Sequence, residues 1–237
     1  MAIPTANLVT YLDFLDPACF GIGGTAVNDL SAANEDWTLA SNSYTFNPTL
    51  GTLSLPTSLY LASNTQNLLG TGNVSFSLSF WNYFDSTKYD TIFYNGNYPT
   101  SGLTIVSDNT TGTFAFFYGY LLTQQSNTPV VSMDTWHNII YTYDHTITTS
   151  TIYIDGISVL SFNYSLSQGI STTIYPGVQF NDPYNISDTT IIGLIYVYTR
   201  AITNLEVTDL YNEDVNRFFP PPPTVMGGRI FGEGLNG

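Results

Sequence analysis

Acidic side chains are the first candidates for chemistry in this sequence, which has 18 acidic and four basic residues. Hydrolysis of a glycosidic bond needs two carboxylates about 5 to 10 Å apart, on either side of the scissile bond. The glutamates are few, and none of them lies on a predicted strand; they are Glu35, Glu206, Glu213 and Glu233. The residues therefore provide no glutamate pair placed for this reaction.

The two histidines, His137 and His145, are the candidates for general-base catalysis. A serine nucleophile needs a histidine that is oriented by a carboxylate, and the chain has no Gly-x-Ser-x-Gly segment. Two histidines and a single cysteine, Cys19, do not make a typical zinc site. The sequence favours an ordinary strand position for His137, and we predict no catalytic residue.

Residues 136–162 give the clearest structural signal. Asp155-Gly156 stands between β-branched residues, a pattern typical of a two-residue type I′ hairpin turn. Runs of β-branched and aromatic residues on either side predict strands, and the polar residues 144–146 predict a turn between the first two. Residues 73–84 alternate between apolar residues and serine, which predicts a strand with one core face and one small polar face.

One helix is predicted near the end of the chain. Thr203 and Glu206 have the spacing of a capping box, in which each side chain bonds to a free amide at the start of a helix. We expect this helix to end near Val215, with Leu205 and Leu210 on its buried face and Val207 or Tyr211 as a further member of that face.

Three segments resemble laminin-G-like domains of the concanavalin-A-like lectin/glucanase type. Residues 136–156 open with Trp-His and close with Tyr-Ile-Asp-Gly, residues 192–206 are similar to the last strand and closing helix, and residues 8–39 resemble the opening of such domains in virion proteins of phages and large DNA viruses. The resemblance spans about residues 7–215. It implies an all-β fold: an antiparallel jelly-roll β-sandwich with one short C-terminal helix and an extended tail.

The resemblance also bears on activity and cofactors. Glucanases of this superfamily carry Glu-x-Asp-x-(x)-Glu on one strand, and this chain does not, so we expect no enzyme. Lectin-like relatives often hold calcium with loop carboxylates and carbonyls. We expect no metal or other cofactor, with a calcium site at Asp13, Asp16 and Asp29 as the alternative, and Asp182 with Asp188 as a second cluster.

Sugar binding in folds of this type uses exposed aromatic rings for stacking and Asn or Asp for the sugar hydroxyls. Two predicted loops combine these residue types. The candidates are Tyr94, Asn95, Asn97 and Tyr98 in the first loop, and Asn181, Asp182 and Tyr184 in the second.

The composition limits the partners of the chain. Its formal net charge of −14 leaves no basic patch to replace the counterions of nucleic acid, and it disfavours anionic membrane surfaces. Charged residues make up 9% of the chain, against roughly 25% in ordinary domains. The polar surface is therefore built from hydroxyls and amides, which suits burial against other subunits or contact with sugars. We also expect no signal peptide and no membrane insertion.

The last residues predict a separate segment. We assign residues 1–217 to the β-sandwich and residues 218–237 to a Pro/Gly-rich arm that docks on another subunit; the alternative is that this segment packs back on its own domain. The four prolines favour polyproline II. The predicted anchors of the assembly arm are Phe218, Phe219, Pro220, Pro221, Pro222, Pro223, Ile230 and Phe231.

Two functions follow from these expectations. The first is a non-enzymatic structural protein of a virion, a minor capsid, decoration or fibre-type component, which assembles with other structural proteins or with copies of itself. The alternative is a carbohydrate-binding module or adhesin that recognises a surface glycan. Either function places the protein on a virion or another extracellular surface.

Overall fold

A computed structural model describes residues 3–56, 61–63, 74–84, 89–97, 101–108, 113–118, 121–125, 131–163 and 189–219. Within these residues the chain forms strands throughout and a helix near its end. The strands are β1 (Leu8–Leu12), β2 (Ala26–Val27), β3 (Trp37–Leu39), β4 (Thr45–Asn47), β5 (Thr52–Pro56), β6 (Leu61–Ser63), β7 (Phe76–Phe84), β8 (Tyr89–Asn97), β9 (Ser101–Asp108), β10 (Thr113–Tyr118), β11 (Leu121–Gln125), β12 (Thr135–Asp144), β13 (Thr149–Ile154), β14 (Ile157–Asn163) and β15 (Thr189–Tyr198), and the helix is α1 (Asn204–Phe218).

The described strands form three antiparallel sheets. The largest has eight strands in the order β14-β13-β12-β7-β15-β5-β4, and β1 pairs with β15 outside this path. A four-stranded sheet has the order β11-β10-β9-β8, and a three-stranded sheet has the order β2-β3-β6. The order in the large sheet is not the chain order, so strands far apart in sequence become neighbours. The predicted all-β sandwich with one helix is confirmed.

The β13–β14 hairpin has the predicted turn. Asp155 and Gly156 have φ values of 51° and 78°, so both turn residues adopt the left-handed conformation that a type I′ turn requires. The pairing of Ile139 with Ile154 then brings the start of β12 alongside this turn. The three strands predicted over residues 136–162 are therefore confirmed.

The first hydrophobic core lies on one face of the eight-stranded sheet. Phe76, Leu78 and Phe80 alternate along β7 and point into this core, as a strand with a period of two requires. Trp37 of the three-stranded sheet is buried in the same core. The sandwich is therefore held together by apolar burial between these two sheets, without a disulfide, because Cys19 is a free buried thiol.

A second core covers the opposite face of the eight-stranded sheet. Helix α1 and the residues before it pack on Trp81 and on the tyrosines of β15. The predicted small polar face of β7 is therefore buried as well. Ser77 is fully buried there because its hydroxyl donates to the carbonyl of Arg200 (2.8 Å) and accepts from the amide of Ile202 (3.0 Å).

Helix α1 starts as predicted but ends later. Thr203 and Glu206 form the capping box, and Arg200 bonds to the Glu206 carboxylate and lowers its pKa to about 2. The helix continues to Phe218 and stops before Pro220, because the residue preceding a proline disfavours the helical conformation.

The buried face of α1 differs from the expectation at one residue. It is formed by Val207, Leu210, Asp214 and Phe218, at intervals of three and four residues. Leu205 comes two residues before Val207, and two residues of an α-helix are about 200° apart around the helix axis. Leu205 therefore lies on the opposite side of the helix and is 70% exposed. The prediction that Leu205 is buried was wrong.

Candidate functional site

A surface pocket of about 230 Å³ lies on the helix-covered face of the eight-stranded sheet. Trp136 belongs to the second core, and Tyr83 and Ile191 pack against that core, which places the pocket beside helix α1. The pocket is lined by Thr45, Asn47, Leu50, Thr52, Ser54, Tyr83, Trp136 and Ile191.

Strand register explains why these residues meet. Trp136 pairs with Tyr83, Tyr83 with Ile191, Ile191 with Ser54, and Ser54 with Thr45. These five residues form one row across β12, β7, β15, β5 and β4. Directly opposed residues of neighbouring strands project from the same face, so the row makes one continuous surface. We call these five residues the cross-strand row.

The aromatic end of the row is held rigidly by its neighbours. Tyr83 and Trp136 contact each other edge to face with ring centroids 5.7 Å apart. The ring of Phe218, at the end of α1, has its centroid 4.8 Å from that of the Trp136 ring, at an interplanar angle of 44°. Tyr83 is half-buried. Packing against the helix therefore fixes the aromatic wall in place.

The other end of the row is polar and more open. Thr45 is exposed and Ser54 is half-buried, and each hydroxyl can both donate and accept a hydrogen bond. The Asn47 side-chain oxygen accepts bonds from the amides of Thr49 (2.9 Å) and Leu50 (3.3 Å) and so shapes the β4–β5 turn. The turn supplies the rest of this wall.

Arg217 fixes that turn from the helix side. Its Nε donates to the carbonyl of Leu50 (2.7 Å) and its Nη2 donates to that of Gly51 (3.1 Å). Its Nη1 forms a salt bridge with Asp13 at 2.7 Å. Gly51 has a φ of 60°, and a side chain there would collide with Arg217 and Leu15. Helix α1 thus supports both walls of the pocket.

The arrangement can bind a molecule that has one apolar face and several hydroxyl groups. The half-buried Tyr83 offers a ring for stacking, Trp136 supports that ring from its buried position at 8% exposure, and the hydroxyl wall offers neutral donors and acceptors. Pockets that bind small molecules usually combine an apolar lining with a few placed polar groups. Among the described residues, the lining includes no pair of acidic groups and no histidine.

The sequence analysis did not predict this pocket. Its residues come from five strands and from Leu50 in the β4–β5 turn, between Thr45 and Ile191, and no short motif connects them. The alternation of Leu53 and Leu55 with Thr52 and Ser54 was the only available signal, because it places a hydroxyl stripe on one face of β5.

A second cluster, Ser132, His137 and Asp155, has the residue types of a hydrolase triad, which the sequence motifs did not reveal. Nδ1 of His137 lies 2.6 Å from the Asp155 carboxylate, and its Nε2 lies 3.1 Å from the Ser132 hydroxyl. However, Nε2 also lies 3.0 Å from the Ser132 carbonyl, which can only accept a bond. The Asp155 carboxylate can likewise only accept a bond, so Nδ1 is the donor toward Asp155, and the role of Nε2 toward the two oxygens of Ser132 depends on the tautomer.

Counting residues along the hairpin could have revealed the contact between His137 and Asp155. The register of β12 and β13 places His137 two residues before Ile139 and Asp155 directly after Ile154, at the same end of the strand pair. Asp155 also accepts a bond from the amide of Asn138 at 2.9 Å. The cluster joins the start of β12 to the β13–β14 turn.

The three calcium candidates do not come together as a metal site. Asp13 pairs with Arg217 and Asp16 accepts the amide of Ala18 at 2.8 Å. Asp29 is 5% exposed and accepts bonds from Tyr11, Ser31 and Glu35. In the part of the chain that the structure describes, no group of three or more His, Cys, Asp or Glu residues could hold a metal ion.

The first predicted glycan loop lies mostly on a strand. Tyr94, Asn95 and Asn97 belong to β8, where Asn95 pairs with Leu103 and Asn97 with Ser101. Cross-strand pairing with β9 thus continues through the segment that we expected to be a loop. Tyr98, Asn181, Asp182 and Tyr184 lie outside the described residues.

The predicted assembly arm begins inside the domain. Phe218 is part of α1 and stacks on Trp81 with centroids 4.3 Å apart, and Phe219 lies 6.2 Å from the same ring. Helical packing thus places these two residues with the sandwich. Pro220, Pro221, Pro222, Pro223, Ile230 and Phe231 lie outside the described residues. Within the described part, no helix is long and apolar enough to cross a membrane.

Solved structures with a similar fold include a sialidase and a neurotoxin. The Trypanosoma rangeli sialidase in complex with sialic acid is 15% identical, with a TM-score of 0.69; the match covers 92% of this chain and 34% of that chain. A structure of botulinum neurotoxin type C, described as dependent on interaction with two ganglioside molecules for cell entry, is 15% identical with a TM-score of 0.65, covering 88% of this chain and 51% of that one. This chain therefore spans about a third to a half of these proteins, and the likeness establishes the fold.

These neighbours contradict the expectation that the chain is not an enzyme. Several of the matching structures are sialidases, one of them in a covalent intermediate state. The expectation rested on the missing glutamate motif of one class of hydrolase. A sandwich of this fold also occurs as part of longer enzymes, so the lack of that motif in the sandwich excludes only that one mechanism.

The comparison of sequences identifies the family. No curated protein matches the chain. A family model described as the concanavalin A-like lectin/glucanases superfamily matches residues 56–208. That match includes Trp136 with the adjacent His137, the Asp155-Gly156 turn and the capping box of α1, and it leaves out the hydroxyl wall of the pocket on β4 and β5. The chain thus belongs to the concanavalin A-like lectin/glucanase superfamily.

Proposed function

We propose that the chain is a carbohydrate-binding domain and that the pocket on the cross-strand row is its binding site. The observation that carries the proposal is the row itself, which places Tyr83 and Trp136 at one end and the hydroxyls of Ser54 and Thr45 at the other. A sugar ring has an apolar face suited to the aromatic end and hydroxyl groups suited to the polar end.

The family and its structural neighbours support this proposal. The sandwich is lectin-like. One neighbour of the same fold is a sialidase in complex with sialic acid, and another is a neurotoxin whose cell entry is described as dependent on interaction with two ganglioside molecules. In this chain the two residue types needed to bind a sugar, aromatic and hydroxyl, meet in one pocket. The surface of the chain, with 9% charged residues, also presents hydroxyls and amides more than ions.

Glycan-array screening of the full chain, followed by calorimetry with the best oligosaccharide, tests the proposal. We expect a Kd of roughly 1 mM or tighter. The double variant Thr45→Ala, Ser54→Ala removes two hydroxyls of the pocket, and it should weaken binding about tenfold if each lost hydrogen bond contributes about 0.7 kcal/mol. Tyr83→Ala should weaken binding further by removing part of the aromatic wall.

The matched control is the double variant Thr151→Ala, Ser161→Ala. These two hydroxyls also face each other across a strand pair, 3.2 Å apart, but on β13 and β14 at the other end of the sheet. The control should bind as the wild type does. Equal binding by the wild type and the pocket variants would place the glycan elsewhere and refute the proposed site.

The virion role has no comparable support. None of the matches described above concerns a virion protein, and most residues of the proposed assembly arm lie outside the described part of the chain. Assembly with other structural proteins and location on a virion or another extracellular surface stay predictions from the resemblance of residues 8–39.

A further inference from the structure

The charge of the residues that line the pocket bears on which glycans, neutral or acidic, it can bind. None of the eight described residues that line it carries a formal charge. Glycans divide into neutral ones and acidic ones such as those ending in sialic acid, which carries a carboxylate. A buried or half-buried carboxylate needs a cation or several hydrogen-bond donors to compensate for its loss of water. The charges close to the pocket therefore decide which class of glycan it can accept.

Among the described residues, Arg217 is a cation that lies next to the pocket. Other groups of the protein already pair with its guanidinium. Each nitrogen of its guanidinium donates to an acceptor of the protein: the carbonyls of Leu50 and Gly51, and the carboxylate of Asp13. The side chains of Arg217 and Asp13 are 16% and 18% exposed. Releasing Arg217 to bind a ligand would leave Asp13 unpaired and loosen the β4–β5 turn that forms the polar wall.

The rest of the chain offers few other cations. It contains four basic residues, Lys88, Arg200, Arg217 and Arg229, of which Lys88 and Arg229 lie outside the described residues, and its formal net charge is −14. Arg200 is paired with Glu206 at the start of α1, whereas the pocket lies at the end of that helix. The field of the whole molecule therefore repels an approaching anion.

We infer that the pocket binds uncharged glycans and discriminates against sialylated ones. This inference rests on the proposed function and specifies its ligand class. A sialylated glycan would bring its carboxylate to a surface of neutral hydroxyls next to a compensated ion pair. We expect the sialylated form of a bound glycan to bind on the order of tenfold more weakly than the neutral form.

The experiment compares three forms of one oligosaccharide on the full wild-type chain. A glycan array of neutral oligosaccharides, each with its sialylated counterpart, selects the best pair. Calorimetry then measures the neutral form, the sialylated form and the methyl ester of the sialylated form. The ester has nearly the same size as the acid but no charge, so it separates the effect of the charge from that of the added bulk.

Weaker binding of the sialylated form, with recovery of most of the affinity by its methyl ester, is the expected result. Equal or tighter binding of the sialylated form, lost in the Thr45→Ala, Ser54→Ala variant, would overturn the inference and leave the proposed site standing. Equally weak binding of the acid and its ester would assign the exclusion to bulk and also overturn the inference. A folded chain that binds no glycan would remove the proposed function itself.

Discussion

Individual carboxylates in this domain lie in different environments, and these set different roles. The Asp214 carboxyl is 8% exposed and accepts a bond from the Tyr196 hydroxyl at 3.1 Å in the second core. Burial raises its pKa from an ordinary 3.8 to about 6. The Asp29 carboxylate is also buried, but backbone amides and a hydroxyl surround it. One carboxyl therefore resists ionisation, and the other organises a loop.

The Asp214 carboxyl makes the stability of the domain depend on pH. Because its pKa is higher in the folded protein than in the unfolded chain, the folded state holds the proton more tightly. This contribution to the free energy of unfolding is present below about pH 4 and is lost as the pH rises through about 6. The ionised carboxylate should cost about 3 kcal/mol at neutral pH.

Asp214→Asn tests this dependence, since asparagine is neutral at every pH. We expect the variant to match the wild type near pH 4 and to be more stable than the wild type at pH 7 to 8, as measured by urea unfolding. The difference between the two proteins isolates Asp214 from the other carboxylates, including Glu206, whose lowered pKa acts in the opposite direction. Parallel stability curves would contradict the assignment.

Asp29 should be a structural residue and not a calcium ligand. Asp29→Ala leaves the amides of Tyr11, Ser31 and Glu35 without their acceptor, and we expect a loss of about 3 kcal/mol in the free energy of unfolding. Asp16→Ala is the control, because that carboxylate is exposed and caps a local turn; it should cost about 0.5 kcal/mol.

Calcium titration separates the two roles of Asp29. Millimolar calcium should leave the melting temperature of the wild type unchanged. A rise in melting temperature for the wild type that is absent in Asp29→Ala would instead identify the carboxylate as a metal ligand.

At the scale of elements, the contact of helix α1 with the eight-stranded sheet supports the pocket. Phe218 stacks on Trp81 and touches the ring of Trp136, and Arg217 holds the β4–β5 turn. The capping box and the pairing of Arg200 with Glu206 fix the other end of the helix. A change in the docking of this helix should therefore affect the aromatic and the polar wall together.

Gly193 on β15 allows this docking. A Cβ atom there would lie 2.6 Å from Cζ of Phe218 and 3.2 Å from Cβ of Trp81. Gly193→Ala should therefore push Phe218 away from the sheet and lower the free energy of unfolding by about 2 kcal/mol. Gly21→Ala is the matched control, since nothing lies within 4 Å of the added atom. Equal stability of the two variants in urea unfolding would refute this steric role.

At the scale of the molecule, the second core includes the last residue of helix α1. Phe218 is 5% exposed and belongs to that core, so the sandwich needs the chain at least to this residue. The predicted border after residue 217 would remove an aromatic ring that stacks on Trp81. Packing in the second core therefore places Phe218 with the sandwich.

Two truncations measure the border directly. A chain that ends at Arg217 should be about 3 kcal/mol less stable than a chain that ends at Phe219, because it loses a buried phenylalanine. Phe218→Ala in the full chain should reproduce most of this loss, which separates the effect of the ring from that of a shortened helix. Equal melting temperatures for the two truncated chains would show that the second core does not depend on Phe218.

The sequence by itself determined the features that depend on neighbouring residues. Asp155-Gly156 predicts its turn because few residues tolerate positive φ, and Thr203 with Glu206 predicts the helix start because the two side chains reach amides one turn away. The family resemblance extended the prediction from these local features to a whole sandwich. The family model that matches residues 56–208 confirmed the family. The sequence could not give the strand order, because pairing joins segments such as residues 52–56 and 189–192 that no motif connects.

The tertiary structure alone determined the candidate pocket. The glycan candidates in the sequence were clusters of neighbouring residues, and Tyr94, Asn95 and Asn97 lie on β8 instead of in a loop. The pocket joins Ser54 to Ile191 and Tyr83 to Trp136, residues brought together by sheet register. The pairing of Arg217 with Asp13, which removes free positive charge from the pocket, likewise spans 204 residues. Such contacts depend on which strands pair in the sheet and on how the sheet packs against its two cores. The order of residues along the chain does not specify these long-range pairings directly.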